Sequence, residues 1–146
     1  MKVNFELANV TETEVLIRGD ITSPEVVAIL EYVKGLSGNT KKLMLFKEDE
    51  QFLFSPSEVV YIEAKGSKVQ VVTTAGIFDS KKKLYELKEL LISEPFAQIN
   101  KGTLVNIDFV KSVQAEFSGN YSLKLKSGKE ILTISRKYFK EFKSKI

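Results

Sequence analysis

Two short segments of the chain combine cations with residues suited to contact an anion. In Asn100-Lys101-Gly102, the glycine allows the close backbone approach that a phosphate favours, and the asparagine amide can pair with adenine. In Ser135-Arg136-Lys137, the serine is a candidate N-cap. The two cations then lie at a helix N-terminus, where the helix dipole disfavours them unless an anion is nearby. A bound phosphate would resolve that conflict. The alternative is that an exposed first turn simply tolerates them, since the penalty is only about 0.3–1 kcal/mol.

The composition removes the residues on which most enzyme chemistry depends. The chain contains no cysteine and no histidine, so it lacks thiol nucleophiles, thiolate metal ligands and the usual general base at neutral pH. It also carries no glycine-rich phosphate loop and no clustered acidic motif. We therefore predict a protein that is not an enzyme, with no catalytic residue, no metal, no cofactor and no small-molecule substrate.

Charge is distributed unevenly along the chain. Residues 1–50 hold 6 basic and 9 acidic residues, a net charge of −3, whereas residues 51–146 hold 16 and 10, a net charge of +6. A basic segment of this kind is typical of contact with a polyanion, because phosphate neutralisation supplies most non-specific nucleic-acid affinity. Taken alone, however, the excess is explained better by solvated surface lysines. The positions of the cations must decide between the two.

Size and hydropathy indicate a folded protein that is not exported. The 146 residues, 43% of them apolar and 28% charged, suffice for one domain plus a small addition. The opening segment MKVNFELANV has no uninterrupted apolar stretch, and no later segment approaches the roughly 20 apolar residues that span a bilayer. We therefore expect a soluble, cytoplasmic protein.

Residues 1–41 are predicted to form a small α+β unit. Residues 2–7 and 14–18 show strand patterns, and Ser23-Pro24-Glu25 marks the start of a helix with an apolar stripe. Gly35 and Gly38-Asn39 indicate its end, before a strand at 42–46. This β-β-α-β arrangement is acidic and has no catalytic motif, so we interpret it as a dimerisation or partner-binding element. It is too short for a receiver domain, which needs about 120 residues.

Residues 42–146 are predicted to form a second, mostly antiparallel β domain. Short apolar strands alternate with turn residues from Gln51 onward. A leucine stripe predicts a helix over 81–92, with Asp79 and Ser80 as candidate caps. A last helix is predicted over 135–146, with Phe139, Phe142 and Ile146 facing inward. The whole chain is therefore predicted to be α+β.

The order of segments in this part resembles the LytTR family of DNA-binding domains of bacterial transcription regulators. The resemblance covers about residues 42–146 and rests on several motifs in sequence order. They are Val59-Val60-Tyr61-Ile62-Glu63-Ala64, a leucine helix ending near Leu91, the segment FAQINKGTLVN from Phe96 to Asn106, a Gly119-Asn120 turn, Lys126-Ser127-Gly128-Lys129, and Ile134-Ser135-Arg136-Lys137-Tyr138.

The resemblance implies packed antiparallel sheets that present loops, rather than a recognition helix, to the major groove of DNA. It places four base-contacting candidates in three loops: Lys68, Asn100, Lys101 and Arg136. Candidates for phosphate contact are Lys65, Gln98, Ser135, Lys137, Lys81 and Lys82. It further implies a homodimer on repeated double-stranded sites and, for an architecture without a receiver, a membrane protein that restrains activity. In this region the family more often has a histidine or arginine followed by serine, whereas this chain reads Asn-Lys-Gly-Thr from Asn100, so its preferred base there can differ.

Two other functions remain open at this point. One is a protein-interaction module or anti-regulator that does not bind DNA, in which the C-terminal cations are incidental. The other is single-strand or RNA binding, which requires exposed aromatic rings beside the cations. We expect no such rings in the loops, because the aromatic residues near these motifs follow core patterns. These residues are Tyr61, Phe96, Phe109, Tyr138 and Phe139.

Overall fold

The computed structural model describes residues 1–11, 13–36 and 42–146. Within these ranges there are three α-helices and two short 3-10 helices, at Pro56–Glu58 and Ile107–Phe109, and none of them is long and apolar enough to cross a membrane. The α-helices are α1 Pro24–Leu36, α2 Leu84–Leu90 and α3 Arg136–Ser144. The strands are β1 Leu43–Lys47, β2 Glu50–Phe54, β3 Val59–Lys65, β4 Lys68–Thr73, β5 Gly76–Ser80, β6 Phe96–Asn100, β7 Thr103–Asn106, β8 Val110–Ala115, β9 Tyr121–Leu125 and β10 Ile131–Ile134.

The strands form two antiparallel sheets. The first has the order β2-β1-β5-β4-β3-β7-β6, and the second has the order β10-β9-β8. Short turns join several neighbouring strands, as between Lys65 and Lys68, which pair with each other across the β3–β4 hairpin. The predicted α+β class with mostly antiparallel strands is confirmed.

Strands β3 and β7 are buried on both faces. Successive side chains of a strand point to opposite faces of the sheet. Accordingly, Ile62 and Leu104 lie in one apolar cluster, which also contains Leu87 of α2. Their neighbours Tyr61 and Val105 lie in a second cluster, shared with the three-stranded sheet and α3. The seven-stranded sheet is thus covered by α2 on one face and by the smaller sheet on the other.

Aromatic residues join the second sheet to the rest of the fold. The Tyr61 hydroxyl donates a hydrogen bond to the Glu130 carboxylate. Burial of the phenol and the charge of Glu130 raise the pKa of Tyr61 far above its usual value, so the hydroxyl keeps its proton. Tyr121 stacks on Phe139 of α3 at a centroid distance of 3.6 Å. The predicted packing role is confirmed for Tyr61, Phe96, Phe109 and Phe139, whereas half-buried Tyr138 belongs to neither cluster.

The two strands predicted near the N-terminus were wrong. Residues 2–7 and 14–18 contain no strand, and Phe5 and Leu7 are 95% and 102% exposed. The alternating pattern is present, but a strand also needs a partner for its backbone groups, and an isolated pair of strands is marginal in water. Helix α1 begins as predicted, with the Ser23 hydroxyl accepting the Val26 N–H at 3.2 Å.

Other predicted boundaries in the chain need adjustment. The strand predicted at 42–46 is β1, while the exit at Gly38-Asn39 lies outside the described residues. Helix α2 begins at Leu84 instead of residue 81, because Ser80 accepts the Lys82 N–H in a preceding turn and Glu86 accepts the Lys83 N–H. Ile146 is 73% exposed, so its predicted inward position was wrong; α3 has ended two residues earlier.

The side chain of Asn106, the last residue of β7, can be tested for its contribution to stability. It is 1% exposed, its amide donates to the Val59 carbonyl at 2.9 Å, and its oxygen accepts the Asp108 N–H at 3.0 Å. Asn106→Ala leaves both backbone groups without these partners, so we expect unfolding free energy to fall by about 1–3 kcal/mol in urea titrations. Exposed Asn4 provides the control, Asn4→Ala. Equal midpoints for the two variants would contradict this role of Asn106.

Candidate nucleic-acid interface

Three loops that carry the predicted contact residues are connected in the fold. Loop one is the β3–β4 turn, residues 65–68, where exposed Lys65 and Lys68 face each other across the hairpin. The Lys65 ammonium lies 3.3 Å from the Glu63 carboxylate, whereas in the described chain no carboxylate lies within ion-pair distance of Lys68. Lys68 is therefore the freer cation of the two.

Loop two is the β6–β7 turn, residues 100–103, and it lies against the end of β3. The Ala64 N–H donates to the Gly102 carbonyl at 2.8 Å. A Cβ added at Gly102 would lie 3.4 Å from the Ala64 carbonyl oxygen, so the two backbones are already in close approach. Exposed Lys101 stands at the tip of this turn. Loops one and two are thus held side by side at one end of the seven-stranded sheet.

Hydrogen bonds also connect loop two to the start of α3. The Asn100 oxygen accepts the Gly102 N–H at 2.9 Å, and its amide nitrogen donates to the Thr133 carbonyl at 2.9 Å. Close by, the Ser135 N–H donates to the Ile99 carbonyl at 2.8 Å. Loop three, residues 134–137, therefore lies beside loop two.

Arg136 lies at the N-terminus of α3, on a turn that belongs to another part of the chain. Ser135 occupies the predicted N-cap position, but its side chain makes no capping hydrogen bond. Instead, the Asn120 side chain accepts the Arg136 N–H at 3.2 Å. A Cβ at Gly119 would lie 3.4 Å from Arg136 Nη1, so the guanidinium rests beside the β8–β9 turn. Across the described residues, no carboxylate forms an ion pair with Arg136 or Lys137.

The residues predicted to contact phosphate differ in whether their polar groups already have partners within the protein. The Gln98 oxygen accepts from Lys88 at 2.9 Å, and its amide nitrogen donates to the Lys101 carbonyl at 3.3 Å, so both of its polar atoms are used within the protein. Lys81 follows Ser80, which pairs with Val69 beside loop one, so it shares that sheet end. Its ammonium lies 4.3 Å from the centroid of the Phe46 ring.

Lys82 does not join this group of loops. It lines a shallow cleft on α2 together with Glu86, Glu89 and Leu90. Two carboxylates in the same cleft make this position less favourable for an anion than the three loops are. The predicted helix placed Lys81, Lys82 and Lys83 in its first turn. That prediction was wrong, since α2 begins after them at Leu84.

Sequence reasoning missed Phe117, an aromatic side chain in the β8–β9 turn. It is 113% exposed, and its turn is closed by two backbone hydrogen bonds: Glu116 N–H to the Asn120 carbonyl at 3.0 Å, and Gly119 N–H to the Glu116 carbonyl at 3.1 Å. The same turn contacts Arg136. The expectation that the loops carry no exposed aromatic ring was therefore wrong. A signal was available, because Phe117 directly precedes the turn residues Ser118-Gly119-Asn120.

Comparison with known proteins identifies the family of this fold. The model of the LytTr DNA-binding domain matches residues 49–146. The chain belongs to the LytTR family. Its fold is similar to that of a solved LytTr DNA-binding domain from Bacillus cereus, with a TM-score of 0.66 and 24% identity, over 71% of this chain and 94% of that one.

Two relatives of different length are similar to this chain. An uncharacterized HTH-type transcriptional regulator of Staphylococcus aureus is 27% identical over 147 residues, covering 100% of this chain and 98% of that protein. Sensory transduction protein LytT of Bacillus anthracis is 26% identical over 119 residues, covering 80% of this chain and 48% of that protein. The chain thus spans about half the length of LytT and nearly the whole of the staphylococcal regulator.

Two glycines give a test of the contact between the β8–β9 turn and Arg136. Gly119 and Gly128 have φ angles of +90° and +72°. Substitution by alanine at either should lower unfolding free energy by about 1–2 kcal/mol. A methyl group at Gly119 would touch the guanidinium, whereas one at Gly128 would meet no atom within 4 Å. We therefore expect the Arg136 side-chain NMR signals to shift in Gly119→Ala alone; equal shifts in Gly128→Ala would refute the contact.

Proposed function

We propose that this LytTR protein regulates transcription by binding double-stranded DNA at specific sequences, with its loops in the major groove. The observation that carries the proposal is the connection of three cation-bearing loops at one side of a LytTR fold. Helices α2 and α3 are separated by the five strands β6–β10, so these two do not form a helix-turn-helix pair. Loops are therefore the better candidates for reading bases.

Arg136 is the strongest candidate for base recognition. Its guanidinium can bond the O6 and N7 atoms of guanine with two donors, and no carboxylate in the described chain competes for it. Lys68 and Lys101 are exposed and can reach the same acceptors as point charges. Asn100, the fourth predicted base contact, differs from these three because both polar atoms of its amide are hydrogen-bonded within the protein. Backbone phosphates are the proposed partners of Lys65, Lys81, Ser135 and Lys137. Gln98 and Lys82 are the weaker members of this set, because Gln98 is bonded within the protein and Lys82 lies beside two carboxylates.

Residues 1–41 are proposed as a separate element for dimerisation or partner binding, with residues 42–146 as the DNA-binding domain. Val26 of α1 is buried but belongs to neither of the two core clusters. Apolar side chains before α1, including Phe5 and Leu7, are exposed.

We further propose a cytoplasmic homodimer on repeated sites and, by family resemblance, control by a membrane protein. No enzymatic activity is proposed.

Selection of duplexes from a random DNA pool is the direct test of this function. At about physiological salt we expect enrichment of one repeated sequence, with an affinity in the range of roughly 10⁻⁸–10⁻¹¹ M typical of specific binders. The affinity should also fall steeply as salt rises, because phosphate contacts release counterions. Enrichment of a lone half-site would argue against the dimer. Failure to enrich any duplex would favour the interaction module, and preference for the matched single strand would favour stacking on Phe117.

Two alanine variants separate base reading from phosphate contact. Arg136→Ala should weaken binding to the selected site by about 1–3 kcal/mol and relax the preference at one base position. Lys137→Ala should weaken all sequences alike, because a phosphate contact carries no base information, and should reduce the salt dependence by about one counterion. Binding constants on selected and scrambled duplexes measure both effects. Small and equal losses from the two variants would reject this assignment of the third loop.

A further inference from the structure

Asn100 uses both polar atoms of its amide inside the protein. The oxygen accepts the Gly102 N–H and the nitrogen donates to the Thr133 carbonyl, each at 2.9 Å. A bidentate contact to adenine needs an acceptor and a donor from the same amide. One N–H and one oxygen lone pair of the Asn100 amide remain, and the two internal bonds fix the directions in which they point.

These bonds lie within a series of contacts that joins the three loops. Ala64 at loop one donates to the Gly102 carbonyl, and Ser135 at loop three donates to the Ile99 carbonyl, each at 2.8 Å. Both of these bonds are between backbone groups, so a change of side chain can leave them intact. The Asn100 amide is the side-chain member of the series, and it connects the tip of loop two with the strand that leads into loop three.

We propose that Asn100 is a positioning residue, which fixes the placement of Lys101 and Arg136 relative to each other instead of reading a base itself. The inference rests on the proposed DNA-binding function. Half-buried Asn100 precedes exposed Lys101 directly, and Thr133 lies three residues before Arg136. Loss of the amide removes the hydrogen bond between loop two and Thr133 of β10. Lys101 and Arg136 are then no longer held in a fixed relative position when they contact the duplex.

A double-mutant cycle on the duplex selected by the wild-type protein tests the coupling. Asn100→Ala alone should weaken binding on the order of tenfold and flatten the preference at the positions read through Lys101 and Arg136. In an Arg136→Ala background the same change should weaken binding less, because one of the two residues that Asn100 positions is gone. Strictly multiplicative losses, or a changed preference at a single adenine with the other positions intact, would overturn the proposal.

Asn100→Gln separates positioning from reading. Glutamine can pair with adenine as asparagine does, but its longer chain does not match two short bonds to Gly102 and Thr133. We therefore expect Asn100→Gln to behave like Asn100→Ala, and rescue by glutamine would refute the inference. Hydrogen exchange at the Gly102 N–H should accelerate in both variants, whereas urea midpoints should change little. A large loss of stability with unchanged base preferences would reduce Asn100 to a purely structural role and also overturn the proposal.

The outcomes distinguish this inference from the function on which it rests. A wild-type protein that enriches no duplex removes the proposed function, and the positioning role falls with it. A wild-type protein that selects a site, with Asn100 and Arg136 acting independently, removes only the positioning role. The exposed residue Asn4 again supplies the matched control, since Asn4→Ala should leave affinity, preference and exchange unchanged.

Discussion

Two-sided burial of β3 and β7 is the constraint on which the rest of the molecule depends. Every residue of β7 is buried, and alternate residues face different apolar clusters. A shift of one residue along either strand would exchange the two sets of side chains between the two cores. The register is therefore fixed, and so are the turns at the strand ends. Loops one and two inherit their positions from this packing.

The cations near the loops differ in whether they have partners within the protein. Lys88 forms an ion pair with Glu141 at 3.0 Å and also donates to Gln98. Arg136 and Lys137 lie at the N-terminus of α3 without a carboxylate partner in the described chain. The first arrangement holds α2, β6 and α3 together, and the second leaves positive charge for a partner. The fold thus separates cations that stabilise from cations that can bind.

Elements of the fold could be predicted from sequence where the local pattern of residues determines the structure. The run Thr103-Leu104-Val105-Asn106 predicts a buried strand, and the serine before Arg136 predicts the helix start that the fold has. Prediction failed where the outcome depends on distant partners. Alternation at residues 2–7 could not reveal that no strand lies beside them. The bond from Asn100 to Thr133 spans 33 residues, and the cap of α3 comes from Asn120, 16 residues away from Arg136. Neither contact can be inferred from the spacing of residues along the chain.

The hydrogen bonds from Ala64 to Gly102 and from Asn100 to Thr133 also have a thermodynamic consequence. Ordering a mobile loop during association costs conformational entropy, and that cost reduces affinity. Here the loop backbones are already held in the free chain, so this entropy is lost when the protein folds. Association then requires no coupled folding of the loops, and its heat-capacity change should reflect only the apolar surface covered at contact.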